Sequence, residues 1–334
     1  MKVGITYDLR ADYLSQGYSE EETAEFEGIE TIDAIDDVLR RLGYQTDRIG
    51  NVHNLIARLA AGERWDLVFN IAEGMHGYGR EAQVPALLDA FRIPYTFSDP
   101  LVLTLALHKA TAKQLVKSMG FPTADFTIVN NESELDTVHL PWPVFVKPVA
   151  SGSSIGVSGS SKAEDKSELA KVCRDLIGRF QQPVLVERFL PGREFTVGVV
   201  GTGDRARSFG VMEIHLRENA EPTVYSFSNK QNYKTRVSYR LGQDDVALKA
   251  EQLGLCIWTG LGCRDAGRVD LRCDAAGEPN FLEINPLAGL HPVDSDLVIM
   301  GGLRGMSHSD LIESIVASAC ERLPGRAKKS TGAA

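Results

Sequence analysis

Cysteine is sparse in this chain and widely spaced. The five residues, Cys173, Cys256, Cys263, Cys273 and Cys320, show no C-x-x-C spacing. That excludes a cysteine zinc site, and the odd count speaks against a disulfide framework and for reduced thiols in a cytoplasm. Long apolar runs are also missing. The longest, near Leu101 to Leu107, falls far short of the roughly 20 residues a membrane-spanning helix needs. The opening Met-Lys-Val-Gly-Ile reads as a first strand, with no apolar signal segment or cleavage site after it. Positive charge is in the minority: 36 Lys and Arg stand against 45 Asp and Glu, for a net charge of −9. Such a balance argues against nucleic acid or an anionic membrane as the main partner. No Walker A motif occurs, which removes the P-loop nucleotidases. The seven histidines share no metal-ligand spacing, and there is no internal repeat.

The composition that remains is that of a globular protein, 43% hydrophobic and 24% charged over 334 residues. Such a length exceeds what one core usually organises, so two or three domains are expected. In the first hundred residues strand and helix patterns alternate. Residues 2–7, 66–71 and 93–96 read as strands. Residues 31–42, with Ile32, Ile35, Leu39 and Leu42 on one face, and residues 81–91 read as helices. This predicts a parallel sheet with ligands beyond the carboxyl ends of its strands, after Tyr7 and Ile71. Further on, helices are expected over 102–119, 163–180 and 243–262, and strands over 142–149, 183–188 and 194–200. Residues 217–240 are polar and aperiodic and read as a long functional loop. Domain boundaries near 101 and 190 give an N-terminal domain over 1–100, a central lobe over 101–190 and a C-terminal lobe over 191–325. A disordered tail is expected over 326–334.

The most informative stretch runs from Gly267 to Asn285. Two alternating runs flank the turn-rich Asp274-Ala275-Ala276-Gly277-Glu278, which predicts a β-hairpin. A turn centred between Ala276 and Gly277 sets Asp270 opposite Glu283 and Arg268 opposite Asn285. Those four polar groups then share one face, while Val269, Leu271, Leu282 and Ile284 point the other way. Adjacent carboxylates repel unless a cation lies between them, and the neutral oxygen of Asn285 completes an oxygen-only donor set suited to Mg²⁺ shared with substrate phosphates.

A second signal is Ser151-Gly152-Ser153-Ser154-Ile155-Gly156-Val157 after Val146-Lys147-Pro148. Small residues let backbone N–H groups approach phosphate oxygens, and Lys147 supplies a point charge. Gly201-Thr202-Gly203 with Ala206 mimics a dinucleotide fingerprint, but it lies between two strand-like runs with no helix after it. It reads as a hairpin turn, which leaves little for a nicotinamide-dependent oxidoreductase.

Taken together, these pieces resemble the ATP-grasp superfamily and, within it, the D-alanine–D-alanine ligases, over nearly the whole chain. The residues that carry the resemblance are Ile93-Pro94-Tyr95-Thr96 leading to His108-Lys109-Ala110-Thr111-Ala112-Lys113, then Val146-Lys147-Pro148 and the Ser/Gly loop. Glu187-Arg188-Phe189-Leu190-Pro191-Gly192-Arg193-Glu194 follows, and Arg268-Val269-Asp270 with Glu283-Ile284-Asn285 closes the set. The fold this implies is α/β: a Rossmann-like N-terminal sheet followed by two α+β lobes that enclose ATP. The activity it implies is a cytoplasmic, ADP-forming carboxylate–amine ligase of peptidoglycan type. It would act through an acyl phosphate on amino-acid or peptide substrates, with ATP and two Mg²⁺ ions (or Mn²⁺), as a homodimer.

The resemblance also implies roles. Lys109 and Lys147 contact ATP phosphates. Glu187 and the backbone of Arg188 and Leu190 line the adenine pocket, and Glu194 takes the ribose. Ser153 and Ser154 lie in the loop that closes over the phosphates, and Lys230 is a phosphate-contacting lysine on the long loop. Asp270, Glu283 and Asn285 hold the metal ions. Arg268 and the backbone of Gly289 stabilise the oxyanion of the tetrahedral intermediate.

The amino-acid half departs from the family. The glutamate expected before the 31–42 helix is replaced by a crowd from Glu20 to Glu30 that reads as a solvated face, with Glu25 or Glu27 as the candidates to hold the first substrate's amine. Glu73-Gly74 stands where His-Gly is usual, Lys230-Gln231 replaces Lys-Tyr, and Asp294 aligns near a serine that holds a substrate carboxylate. Three readings follow: a D-alanine–D-alanine ligase, a ligase of the same chemistry with another amino acid or short peptide in a specialised pathway, and a nucleotide-binding protein without catalysis. The complete Arg268, Asp270, Glu283 and Asn285 set speaks against the last.

Overall fold

A computed structural model describes residues 1–323; the expected tail over 326–334 lies outside them. The first region contains β1 (Lys2–Tyr7), α1 (Arg10–Ser15), α2 (Ile29–Arg41), β2 (Gln45–Gly50), α3 (Val52–Ala60), β3 (Leu67–Ile71) and α4 (Gln83–Ala90). Its three strands form a parallel sheet in the order β2-β1-β3. The alternation of strand and helix segments pointed to this, and β1 and β3 are buried on both faces, as strands covered by helices are. Ile32, Ile35 and Leu39 of α2 are fully buried against Val3, Ile5 and Phe69. Residues 93–96, expected as a strand, contribute only an isolated bridge between Tyr95 and Val68.

The helix expected over 102–119 is two helices, α5 (Pro100–Leu107) and α6 (Lys109–Ser118). His108 breaks it: its ψ of 88° is not helical. The N–H of Lys109 leaves the helix to reach the carbonyl of Val149 at 2.9 Å. A tertiary hydrogen bond thus overrides a continuous helical pattern and turns Lys109 towards the loop after residue 149. There follow β4 (Phe126–Val129), β5 (Val144–Pro148), β6 (Lys162–Ala163), α7 (Lys166–Phe180) and β7 (Val184–Arg188). These strands make an antiparallel sheet in the order β4-β7-β5-β6. Asp165 caps α7 by accepting the N–H groups of Ser167 and Glu168.

The last region has β8 (Glu194–Val200), β9 (Arg207–Leu216), α8 (Phe227–Gln231), α9 (Tyr233–Arg236), β10 (Val237–Leu241), α10 (Asp245–Gly260), β11 (Ala266–Cys273), β12 (Pro279–Asn285), α11 (Asp296–Leu303) and α12 (His308–Glu321). Its sheet is antiparallel, β10-β9-β8-β11-β12. Gly201-Thr202-Gly203 lies in the β8–β9 connection, so its fingerprint-like spacing is a turn. The stretch read as a long loop over 217–240 holds α8, α9 and most of β10 instead. No helix among the described residues is long and apolar enough to cross a membrane.

Candidate active site

The hairpin of β11 and β12 sets the chemistry. Arg268 pairs with Asn285 and Asp270 with Glu283, the register expected from the alternation. Beyond Asp270 the register slips, so that Leu271 pairs with Phe281. This bulge corrects one expectation: Phe281, not Leu282, joins Val269, Leu271 and Ile284 in the core, and Leu282 lines a cavity on the polar face.

Two cavities meet at this hairpin. One, of about 100 Å³, lies between the two antiparallel sheets and is lined by Lys147, Ser154, Glu187, Arg188, Leu190 and Glu194 among others. The other, of about 600 Å³, is walled by the loops after β1 and β3, by Gly152 and Ser153, and by residues 285–297. Lys109, Lys230, Arg268 and Glu283 line both cavities. The carboxylates and cations singled out in the sequence thus gather at one seam.

Charge at that seam is dense and mutually compensated. Lys109 lies 3.2 Å from Glu283 and donates to the carbonyl of Ser151 at 2.5 Å. Arg268 is ion-paired with Asp270, which also accepts from Thr196 at 2.8 Å and Asn285 at 3.2 Å. Burial opposes ionisation of Glu283, but Lys109, Lys147 and Arg268 outweigh it and hold its carboxyl well below the usual range. Burial dominates at Asp270 and pushes its carboxyl up despite Arg268. Two neighbouring acids, one buried and one facing the cavities, are therefore driven apart, a pattern typical of functional sites.

On the floor of the small cavity Glu187, 2% exposed, bridges Lys113 at 2.7 Å and Lys147 at 2.9 Å. Burial pulls the Lys113 ammonium below its ordinary value. It also opposes the charge on Lys147, but Glu187 and Glu283 raise that ammonium overall. Lys113 closes the His108–Lys113 motif but was given no role from sequence; its position four residues after Lys109 on α6 was the available signal. Glu194 pairs with Arg272 at 3.2 Å at the cavity edge.

The Ser/Gly loop has Ser153 and Ser154 in the left-handed region (φ 48° and 56°), followed by Gly156 at φ 76°. A Cβ at Gly152 would meet the carboxylate of Glu25, which would have to shift from its bond to the Gly152 N–H. Glu25 accepts the Gly152 N–H at 2.5 Å and pairs with Arg80 at 2.8 Å, so it anchors the loop. Glu27, the other candidate, accepts from the Thr31 hydroxyl at 2.8 Å and the Leu290 N–H at 3.2 Å. Gly289, Glu73 and Gln231 line the large cavity.

Asp294 is at the rim, bonded to the Tyr233 hydroxyl at 2.6 Å and to Lys234 at 3.0 Å. The buried acid of this loop is Asp296, missed by sequence, which lies 3.1 Å from Lys230 and 3.9 Å from Arg268. Burial resists its ionisation, yet Lys230 and Arg268 keep its carboxyl below the usual value. An acid opening the apolar run Leu297-Val298-Ile299 at a helix start was the signal that marks it.

The donor set of Asp270, Glu283 and Asn285 is oxygen-only, and each carboxylate faces a protein cation. Among the described residues no group of three or more His, Cys, Asp or Glu forms a metal site. Two carboxylates and one amide oxygen are donors that a hard divalent cation accepts, with its other ligands left to waters or phosphates.

Comparison with known proteins agrees on one family. Residues 115–317 match the model described as D-ala D-ala ligase C-terminus. The chain is similar to a D-alanine–D-alanine ligase of Sinorhizobium fredii, 33% identical over 261 residues, covering 77% of this chain and 81% of the relative. It is also similar to a D-alanine–D-alanine ligase of Aquifex aeolicus, 30% identical over 290 residues, with 86% and 94% covered. Among solved structures, a D-alanine–D-alanine ligase of Bacillus anthracis superposes with a TM-score of 0.74 at 20% identity over 96% of this chain and 98% of that one. The VanG D-Ala:D-Ser ligase of Enterococcus faecalis gives 0.71 at 19% over 95% and 99%.

Proposed function

The chain belongs to the D-alanine–D-alanine ligase family, and from that premise we propose that its two cavities divide an ADP-forming ligation, with ATP in the smaller, the amino-acid substrates in the larger, and phosphoryl transfer at the seam. The observation that carries this reading is the set of four charged residues lining both cavities: Lys109, Lys230, Arg268 and Glu283.

A carboxylate is a poor acyl donor because attack by an amine would expel oxide. Its oxygen attacks the γ-phosphorus, ADP departs, and the resulting acyl phosphate loses inorganic phosphate when the amine attacks its carbonyl carbon. Two anions meet in the first step. Lys109, Lys147 and Lys230 supply positive charge around them. Asp270, Glu283 and Asn285 would hold Mg²⁺, which would neutralise charge between the phosphates and the attacking carboxylate. In the second step Arg268 and the Gly289 N–H receive the developing oxyanion, a preorganised donor being worth roughly 10²–10³ in rate. The Ser/Gly loop and α8 close the seam against water, which would otherwise hydrolyse the acyl phosphate.

The test is ADP release from ATP and Mg²⁺ with pooled amino acids. Asp270→Asn, Glu283→Gln and Arg268→Met are each expected to lower it by about a hundredfold or more with the fold retained, and EDTA to abolish it. Undiminished turnover in EDTA would overturn the metal assignment.

A second reading within the same chemistry is favoured by Asp296. This buried acid occupies Lys230 and lies close to Arg268, the cations that would otherwise attract a substrate carboxylate. D-Alanine is accordingly expected to be a weak partner in both positions, and a more cationic substrate a better one. A D-alanine dimerisation rate of roughly 1–10³ s⁻¹ would refute this.

A further inference from the structure

The wall of the large cavity facing the N-terminal sheet carries two glutamates that the mechanism above does not use. Glu73 lies just beyond the carboxyl end of β3, and Glu81 lies in the helical turn that precedes α4. Both line the cavity. Glu81 is 9% exposed, and among the described residues no side chain or backbone N–H donates a hydrogen bond to either carboxylate. Their neighbours differ. Glu25 has Arg80 and the Gly152 N–H, while Glu27 has only neutral donors, the Thr31 hydroxyl and the Leu290 N–H. Arg10, on the same side of the cavity, is turned onto the carbonyls of Thr23 and Ala24. The wall thus holds three carboxylates with no ion pair among the described residues, Glu27, Glu73 and Glu81, although Arg80 favours the charge of the last two from farther off, as does Lys109 that of Glu81.

Buried unpaired carboxylates are expensive to keep ionised. Burial pushes both Glu73 and Glu81 upward, reinforced by Glu81, Glu25 and Glu27 at Glu73 and by Glu25 at Glu81. A protein that retains them at the end of a cavity stabilises them only when something cationic arrives. The opposite end is the seam shared with the smaller cavity, where the reacting carboxylate must lie to meet the nucleotide. A substrate bound along the cavity therefore has its carboxylate at the seam and its positive charge at the wall. One α-ammonium answers one of the three carboxylates, which leaves two unanswered.

We propose that Glu73 and Glu81 form a cation subsite, so that the substrate whose carboxylate is activated is a diamino acid with its second ammonium held by these two glutamates. The inference rests on the ligase reading and names the substrate class for it.

The experiment measures ADP release by the full-length enzyme with ATP and Mg²⁺. The substrates are both enantiomers of diaminopropionate, diaminobutyrate, ornithine and lysine, each beside its uncharged isostere. Calorimetry of the same compounds is run in the presence of a non-hydrolysable ATP analogue. At least one diamino acid is expected to exceed its isostere by about tenfold or more in kcat/KM and to bind correspondingly tighter. Glu73→Gln and Glu81→Gln are each expected to move that ratio towards one. Isosteres that match or exceed every diamino acid overturn the subsite while leaving the ligase reading intact, and so do variants with an unchanged ratio. Failure of every amino acid to elicit ADP release, with the analogue still bound, overturns both. The wild-type comparison decides the matter even where a variant fails to fold.

Discussion

Glu81 shows how one side chain couples stability to function. Burial pushes its carboxyl up to about 7, opposed by Arg80 and Lys109 and reinforced by Glu25. A group whose folded pKa lies above its ordinary value stabilises the protein only while protonated. That contribution is complete below the ordinary value of 4.5 and is lost as pH rises through about 7. Glu81→Gln removes the ionisation without changing the shape. The variant is therefore expected to gain stability over wild type as pH rises from about 4.5 to about 7, by at most on the order of 3 kcal/mol, and to hold that gain above it. Paired denaturant melts across that range check this, and a difference independent of pH would refute it. At Glu187 and Asp296 the sign is opposite. Their carboxyls are lowered by Lys113 and Lys147 and by Lys230 and Arg268 respectively, so their contribution is lost in acid.

At the scale of elements, the pieces covering the seam are short and hold one another. The N–H of Phe227 at the start of α8 donates to the carbonyl of Val157 at 3.1 Å, joining that helix to the Ser/Gly loop. Asn229 is fully buried. It accepts the Glu221 N–H and donates to the carbonyls of Glu221 and Val224, all at 2.9 Å. These bonds position Lys230, the next residue. Asn229→Ala leaves three backbone groups unpaired, at about 1–3 kcal/mol each if they stay dry. It is expected to lower ADP release by about tenfold or more and to raise amide exchange together in 151–157 and 226–231. Exchange rising in α8 alone would show that the two covers act separately. The β11–β12 hairpin behaves differently, because its apolar face is locked into a core with α10, where Trp258 is fully buried.

Across the whole molecule, the two ends of the chain share one core. Val3, Ile32 and Leu39 from the first region pack in the same cluster as Leu297, Leu311 and Ile315 from the last. Asp265, fully buried just before β11, ties these parts together. It accepts the Phe97 N–H and the Ser318 hydroxyl, each at 2.7 Å, accepts from Thr202 at 3.3 Å, and pairs with Arg322. Asp265→Ala leaves the half-buried Arg322 and several donors without their common acceptor and is expected to destabilise the protein by about 3 kcal/mol. Ser318→Ala, which removes one bond of the same set, is expected to cost about 1 kcal/mol. Thermal melts separate the two, and equal losses would show that Asp265 is not the common anchor.

By itself the sequence determined what local alternation can encode. Period-two patterns on either side of Ala276-Gly277 gave the hairpin and its register, and with it the shared face of Arg268, Asp270, Glu283 and Asn285. Period-3.6 patterns gave the covering helix α2. The small residues after Lys147 gave the loop. Only the tertiary structure decided the rest. The break at His108 depends on a bond to Val149, and the turned Leu282 on a one-residue slip against β11. Asp296, not Asp294, became the buried acid of its loop because Lys230 and Arg268, from elements remote in sequence, surround it. Glu73 stood out in the sequence by its place after a strand, but Glu81 did not, and that neither forms an ion pair is a property of what surrounds a side chain. Local backbone preference and periodicity act over a few residues and are written in the chain. Charge compensation in a cavity depends on side chains brought together from all three sheets, and only folding settles which of them meet.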